Sequence, residues 1–245
     1  SMSEATIVGY KAATSNTTGS HILAMGYLAY DGADTENHNL AIGSNALGGA
    51  VAGGEYNVAI GNYAGDAITS ADLSVLVGYQ AGTAITTGTE NMCIGAQAGQ
   101  SLTTGTRTTL IGRAAGYNYD AENDNLAIGY FALGGVVNGG EYNVAIGNYS
   151  LDALTSGDNN VAIGYSAGTS QTTGGANVLI GEGAAQNLTT GGANVIIGKG
   201  AARSGTLTGT LNVYVGGEAG AYTSSGSSNI VIGYAALDGF DTETH

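Results

Sequence analysis

The stretch EYNVAIGNY stands at Glu55–Tyr63 and is written a second time at Glu141–Tyr149. Its centre, an Asn followed by three apolar residues and a glycine, recurs in shortened form along the whole chain. Anchored on the glycine, the motif falls at Gly9, Gly26, Gly43, Gly61, Gly78, Gly95, Gly112, Gly129, Gly147, Gly164, Gly181, Gly198, Gly216 and Gly233. Ten of the thirteen intervals are 17 residues, and three (43 to 61, 129 to 147, 198 to 216) are 18. A fixed period of this kind signals a stack of like structural units rather than an ordinary globular core. A longer period is superimposed: GGEYNVAIGNY at Gly53–Tyr63 recurs at Gly139–Tyr149, 86 residues or five motifs later, which reads as block duplication.

Composition narrows the class. The 245 residues include 44 glycines, no proline and no tryptophan, and only 10% are charged. With 43% apolar residues the chain can bury surface, so it is not of the disordered type. A net charge of −14 repels a phosphate backbone, and nucleic acid is excluded as a partner. One cysteine, Cys93, forms no internal disulfide framework and reads as a small buried hydrophobe. No apolar run is long enough for a membrane span, and no leader opens the chain; Ser1-Met2 reads as a cloning scar, with residues 1–5 a lead-in and 6–245 one repeat array.

A unit of 17 or 18 residues is too short for a two-helix repeat, and its Val, Ile, Thr and Gly favour strands and tight turns. The expectation is an all-β fold, a parallel β-solenoid or β-roll of about 14 turns of 17–18 residues. Asn opens ten of the motifs, from Asn39 to Asn229, and is expected to form a corner ladder from turn to turn. Seven residues after the glycine come Ile68, Ile85, Leu102, Leu154 and Leu188, but also Gln171 and Gly205, which predicts a weaker, half-exposed outer strand.

Side chains alternate along a strand, so the triplet has two faces. The residue before the glycine is always apolar, from Val8 through Ile60 and Ile146 to Ile232, and is assigned to the lumen. The opposite face carries Ile7, Ala24, Ala41, Ala59, Leu76, Cys93, Leu110, Ala127, Ala145, Ala162, Leu179, Ile196, Tyr214 and Val231, none of them charged. On this assignment that face points outward as a band too large for a soluble monomer, and further copies of the chain cover it.

The motifs NLAIGSNA (Asn39–Ala46), NVAIGYSA (Asn160–Ala167) and NIVIGYAA (Asn229–Ala236) resemble the head repeats of trimeric autotransporter adhesins, the YadA-like family, and related repeats of bacteriophage tail fibres. The resemblance spans nearly the whole chain. It implies a left-handed β-roll, a homotrimer around one axis, and an extracellular place on a bacterial surface or virion tail. It also implies non-enzymatic attachment to a host-surface glycan or protein receptor, without membrane insertion by this segment. The chain departs from the family in its longer turns and in lacking a neck, stalk or anchor, parts expected to lie outside it.

Three acidic segments recur in register: Asp34, Glu36 and His38; Asp120, Glu122 and Asp124; and Asp241, Glu243 and His245. Each trio would share a face of an extended segment and could hold Ca²⁺, the one cofactor considered, although solvated acidic turns explain them equally. Tyrosine follows the glycine at Tyr10, Tyr27, Tyr79, Tyr130, Tyr165 and Tyr234, and one place later at Tyr63 and Tyr149. Such a row could stack on sugars or merely cap corners. Thr-Thr-Gly at Thr17, Thr86, Thr103, Thr172 and Thr189 raises the alternative of an ice-binding solenoid. A polysaccharide-cutting tailspike would need a unique carboxylate pair, and Glu55 and Glu141 are instead duplicates of one another. Gly233–His245 replays Gly26–His38, and neither end carries a recognisable polar cap, so a fragment of a longer fibre is expected.

Overall fold

The computed structural model describes residues 4–136, 138–203, 207–223 and 225–237. It divides between Asn123 and Asp124 into two compact units. The first holds β1 (Thr6–Val8), β2 (Leu23–Met25), β3 (Leu40–Ile42), β4 (Val58–Ile60), β5 (Val75–Val77), β6 (Met92–Ile94) and β7 (Thr109–Ile111). The second holds β8 (Leu126–Ile128), β9 (Val144–Ile146), β10 (Val161–Ile163), β11 (Val178–Ile180), β12 (Val195–Ile197), β13 (Val213–Val215) and β14 (Ile230–Ile232). Among the described residues there is no helix. Within each unit every strand pairs in parallel with the next, residue for residue, so Ala41 lies over Ala59 and Ala145 over Ala162. Each unit is a parallel β-solenoid.

Register survives the 18-residue turns because the extra residue is pushed outward. In the first two of them a glycine sits there, Gly53 (φ +114°) or Gly139 (φ +99°), with open space where a side chain would be. The glycine that closes each triplet has the opposite problem. At Gly61, φ is +137° and a Cβ would lie 2.3 Å from the carbonyl oxygen of Gly78 in the next turn, so no other residue fits.

Hydrogen bonds between turns run well beyond the short strands. The corners use left-handed residues two and four places after the glycine and five before the next, as at Tyr63 (φ 61°), Gly65 (φ 59°) and Leu73 (φ 56°). A non-glycine residue there costs roughly 1–2 kcal/mol. In return the N–H groups alternate in direction: Tyr63 donates back to Ser44 O at 2.8 Å, and Gly65 forward to Ala81 O at 3.0 Å. Every corner thereby joins the stack.

The second half of the turn differs from the predicted outer strand. Ile68, Ile85, Leu102, Leu154 and Leu188 are all fully buried and fill the lumen. Their N–H groups turn back within their own turn, Ile68 to Gly65 O at 3.1 Å and Leu154 to Leu151 O at 3.1 Å. That local closure interrupts the ladder, so no continuous second strand forms; Gly205 lies outside the described residues.

Two features knit the interior. First, buried asparagines form a ladder from turn to turn: Asn177 Oδ1 accepts the Asn194 N–H at 2.9 Å while its Nδ2 donates to Gly191 O at 2.9 Å. The side chain thus satisfies one backbone donor and one acceptor that would otherwise be orphaned in the core. Second, lumen volumes compensate. Where the middle of the triplet is large (Leu76, Leu110, Tyr214), the residue four after the glycine is Gly82, Gly116 or Gly220; where it is Ala24, Ala41, Ala127 or Ala145, that residue is Tyr30, Leu47, Leu133 or Leu151. Gly65 and Gly168 are filled from both neighbouring turns, by Leu47 and Leu76 and by Leu151 and Leu179. This is close packing achieved between turns rather than within one.

Candidate functional surfaces

The two faces of the triplet are the reverse of the sequence assignment. Ala24, Ala41, Ala59, Leu76, Cys93, Leu110, Ala127, Ala145, Ala162, Leu179, Ile196 and Tyr214 are 0% exposed within the chain itself. Val231, at 8%, is also inside, and Ile7, on the first strand, is 36% exposed. These residues line the lumen and offer no interface to a second chain. The physical reason is parity: the middle residue shares its face with the ladder asparagine two places earlier, whose amide bonds the backbone inside the coil.

Outward instead point the residues one and three before the glycine: Val58 and Ile60, Val75 and Val77, Val144 and Ile146, Val161 and Ile163, and their equivalents. Two apolar side chains per strand form a flat double stripe, broken in type only by Thr6 and Thr109, with no charge anywhere. Val8, Met25, Ile163 and Ile232 on it are 53%, 42%, 37% and 70% exposed. Seven strands about 4.8 Å apart and roughly 10 Å wide give each unit an apolar strip of about 300 Å². The outward apolar face expected from the sequence is present, but on different residues.

The two acidic trios within the described residues do not assemble as a metal site. Glu36 is turned inward, 5% exposed, and its Oε2 accepts the N–H groups of Asp34 at 2.9 Å and Thr35 at 3.0 Å, while Oε1 accepts that of Gly53 at 3.0 Å. Glu122 repeats this with Asp120 and Ala121, at 3.0 and 3.1 Å. These carboxylates replace missing backbone partners. Asp34 and Asp120 accept hydroxyl bonds from Thr17 and Thr103. His38 lies in an exterior stack, 4.4 Å from the His21 ring and 4.7 Å from the Tyr56 ring, and Asp124 occupies the same left-handed corner position at the start of the second unit. Among the described residues no group of three or more His, Cys, Asp or Glu is placed to hold a metal. Asp241, Glu243 and His245 lie outside the described residues.

The tyrosines after the glycine form an exterior column at the corner where the chain leaves the sheet. Tyr10, Tyr27, Tyr79, Tyr165 and Tyr234 are 50% exposed or more, and Tyr130 is half-buried. Tyr10 and Tyr27 stack at 5.7 Å, whereas Tyr63–Tyr79 and Tyr149–Tyr165 meet edge to face. One file of threonines is used by the fold: the Oγ1 of Thr69, Thr86, Thr155 and Thr172 each donates to a carbonyl of the next turn at 2.9–3.3 Å, while the adjoining Thr87, Thr104, Thr173 and Thr190 are exposed.

Burial pushes the Cys93 thiol up to about 12, which leaves it inert as a nucleophile. Burial likewise raises Tyr30 to about 12, against a hydrogen bond from Asn39, and raises Asp66 and Asp152. A cavity of about 270 Å³ lies beside β14, lined by Asn229, Ile230, Val231, Ile232, Ala236 and Leu237, with no titratable side chain among them. No family model, no curated protein and no solved structure matches the chain.

Proposed function

We propose that this chain is a segment of an extracellular, non-enzymatic attachment fibre in which three copies pack side by side through their outward stripes, on a bacterial surface or a virion tail. The observation that carries the reading is the uncharged apolar double stripe on the flat face of each unit, in a chain of net charge −14. A solvated sheet face alternates polar residues outward; this one does not, and a parallel copy offers it a surface of the same length and chemistry. The number three and a left-handed coil follow from the resemblance to adhesin and tail-fibre repeats. Attachment, to a glycan or protein receptor, is then the natural task of a stiff repetitive surface on which weak contacts add. Against the ice-binding alternative, the first threonine of a Thr-Thr-Gly motif, as at Thr86 and Thr172, commits its hydroxyl to an inter-turn bond, which leaves only the second to be displayed.

Light scattering tests the assembly. The expected mass is three times the 24.1 kDa chain. The double variant Ile60→Asp with Ile146→Asp, both on the outward stripe, is expected to fall to one chain mass with its β-structure intact, whereas Ala59→Asp, in the lumen, abolishes folding. A wild-type chain that stays monomeric at about 10 μM, a concentration at which interfaces of standard size are populated, would refute the assembly. Labelled chain retained on bacterial or host cells, with no sugar released from the polysaccharides tested, is the expected outcome for attachment.

A further inference from the structure

We propose that the corner beside each edge-to-face tyrosine pair, Tyr63–Tyr79 in the first unit and Tyr149–Tyr165 in the second, is a subsite for neutral or amino sugars. This deepens the attachment reading and rests on it. The two pairs have nearly the same geometry, with ring centroids 6.5 Å apart at 86° and 6.1 Å apart at 88°. An edge-to-face pair leaves one ring face open beside the other ring's rim, a shape that accepts the C–H face of a pyranose.

Polar groups stand beside each pair. Asn62 Oδ1 is fixed by the Ser44 N–H at 2.9 Å, and Asn148 Oδ1 by the Tyr130 N–H at 2.9 Å. Each amide is thereby pre-oriented, and its Nδ2 has no partner among the described residues. Three residues past each pair's first tyrosine come Asp66 and Asp152, whose Oδ1 atoms lie 3.1 and 3.0 Å from where a Cβ would stand on Gly48 and Gly134 of the preceding turn. Both carboxylates are partly desolvated, which raises them, and neither has a hydrogen-bond donor among the described residues. Donor amide, acceptor carboxylate and ring together match the paired hydroxyls and apolar face of a sugar. The acidic chain disfavours uronic and sialic acids.

The block duplication sets the same corner in both units. Between the two copies, packed lumen residues have changed: Leu76 stands against Ala162, Cys93 against Leu179 and Leu110 against Ile196. Asn62, Tyr63, Asp66 and Tyr79 are matched by Asn148, Tyr149, Asp152 and Tyr165. Both blocks therefore carry the same set of candidate sugar-facing side chains. The second subsite is richer, since Tyr130 and Phe131 also meet Tyr149, at 5.3 and 6.4 Å.

The test is a printed array of neutral, amino and acidic glycans probed with the fluorescently labelled full chain. Binding is expected on neutral or amino sugars, with a single-site Kd on the order of 0.1–1 mM and a lower apparent Kd through multivalency. Tyr149→Ala with Tyr165→Ala is expected to cut the signal at least tenfold, and Tyr63→Ala with Tyr79→Ala by less. The control Tyr56→Ala with Tyr142→Ala, exposed tyrosines outside the pairs, should leave it within twofold. Should a tyrosine variant misfold, Asp66→Asn with Asp152→Asn, which removes two desolvated charges, must still lose at least fivefold. Binding to acidic glycans alone, to none, or equally by all variants overturns the proposal. If the chain then still adheres to cells, the attachment reading stands with a protein receptor; if it adheres to nothing, that reading falls as well.

Discussion

Replacing Asn177 by Ala puts the interior ladder to a quantitative test. Asn177 and Asn194 are both 0% exposed, so no water can substitute for the lost amide without a rearrangement. The Asn194 N–H, bonded to Asn177 Oδ1 at 2.9 Å, and Gly191 O, bonded to Nδ2 at 2.9 Å, would both be left without partners. Each orphaned buried backbone group costs about 1–3 kcal/mol, so the expected loss is about 2–5 kcal/mol, a large share of a typical domain's stability. Guanidinium unfolding followed by far-ultraviolet circular dichroism, at fixed chain concentration, reads the global loss. Because repeat arrays open locally, hydrogen exchange at the Asn194 amide reads the local one. A loss under about 0.5 kcal/mol, with the Asn194 amide still protected, would show that the ladder is incidental and refute the reasoning.

Further outcomes follow from the same interior. Ser74 stands at a ladder position and reaches the Asn91 N–H only at 3.3 Å, so Ser74→Asn should add about 0.5–1.5 kcal/mol in the same denaturation assay. Leu76→Ala should cost about 2–5 kcal/mol, and Gly82→Leu alone should fail, since even its Cβ would lie 2.8 Å from a Leu76 methyl. The double variant copies the Ala127/Leu133 arrangement and should recover much of the loss, a coupling that a double-mutant cycle measures. Cys93 and Tyr30 are raised by burial from 9.0 and 10.0 to about 12 each. Their contribution is therefore intact below pH 9 and lost as pH rises towards 12, when the unfolded chain ionises first. Stability measured across that window should fall, and less steeply in Cys93→Ala.

Most of the fold was legible in the sequence, because a glycine that must accept the next turn's carbonyl, as Gly61 does, can be neither moved nor replaced. The asparagine ladder was legible for the same kind of reason. Which face of the triplet is inside was not, since alternation distinguishes two faces without saying which is wet, and both faces here are apolar. A signal was nonetheless present. Ala127 with Leu133, set against Leu76 with Gly82, shows that the middle residue trades volume with a position across the coil, which only lumen residues do. The acidic trios misled because a carboxylate such as Glu36 looks the same in sequence whether it faces solvent or caps backbone N–H groups. The half-exposed outer strand failed because a local turn at Ile68 is invisible to a reading based on period alone.

The asparagine ladder has a mechanical consequence. In the second unit it runs unbroken through Asn125, Asn143, Asn160, Asn177, Asn194, Asn212 and Asn229, whereas in the first unit Ala5, Ile22, Ser74 and Thr108 interrupt it. Aligned amides reinforce one another, and a gap breaks the chain of polarisation. Pulled along its own stack of strands, the first unit should therefore yield at a lower force than the second, whose unbroken file acts as the stiffer spring.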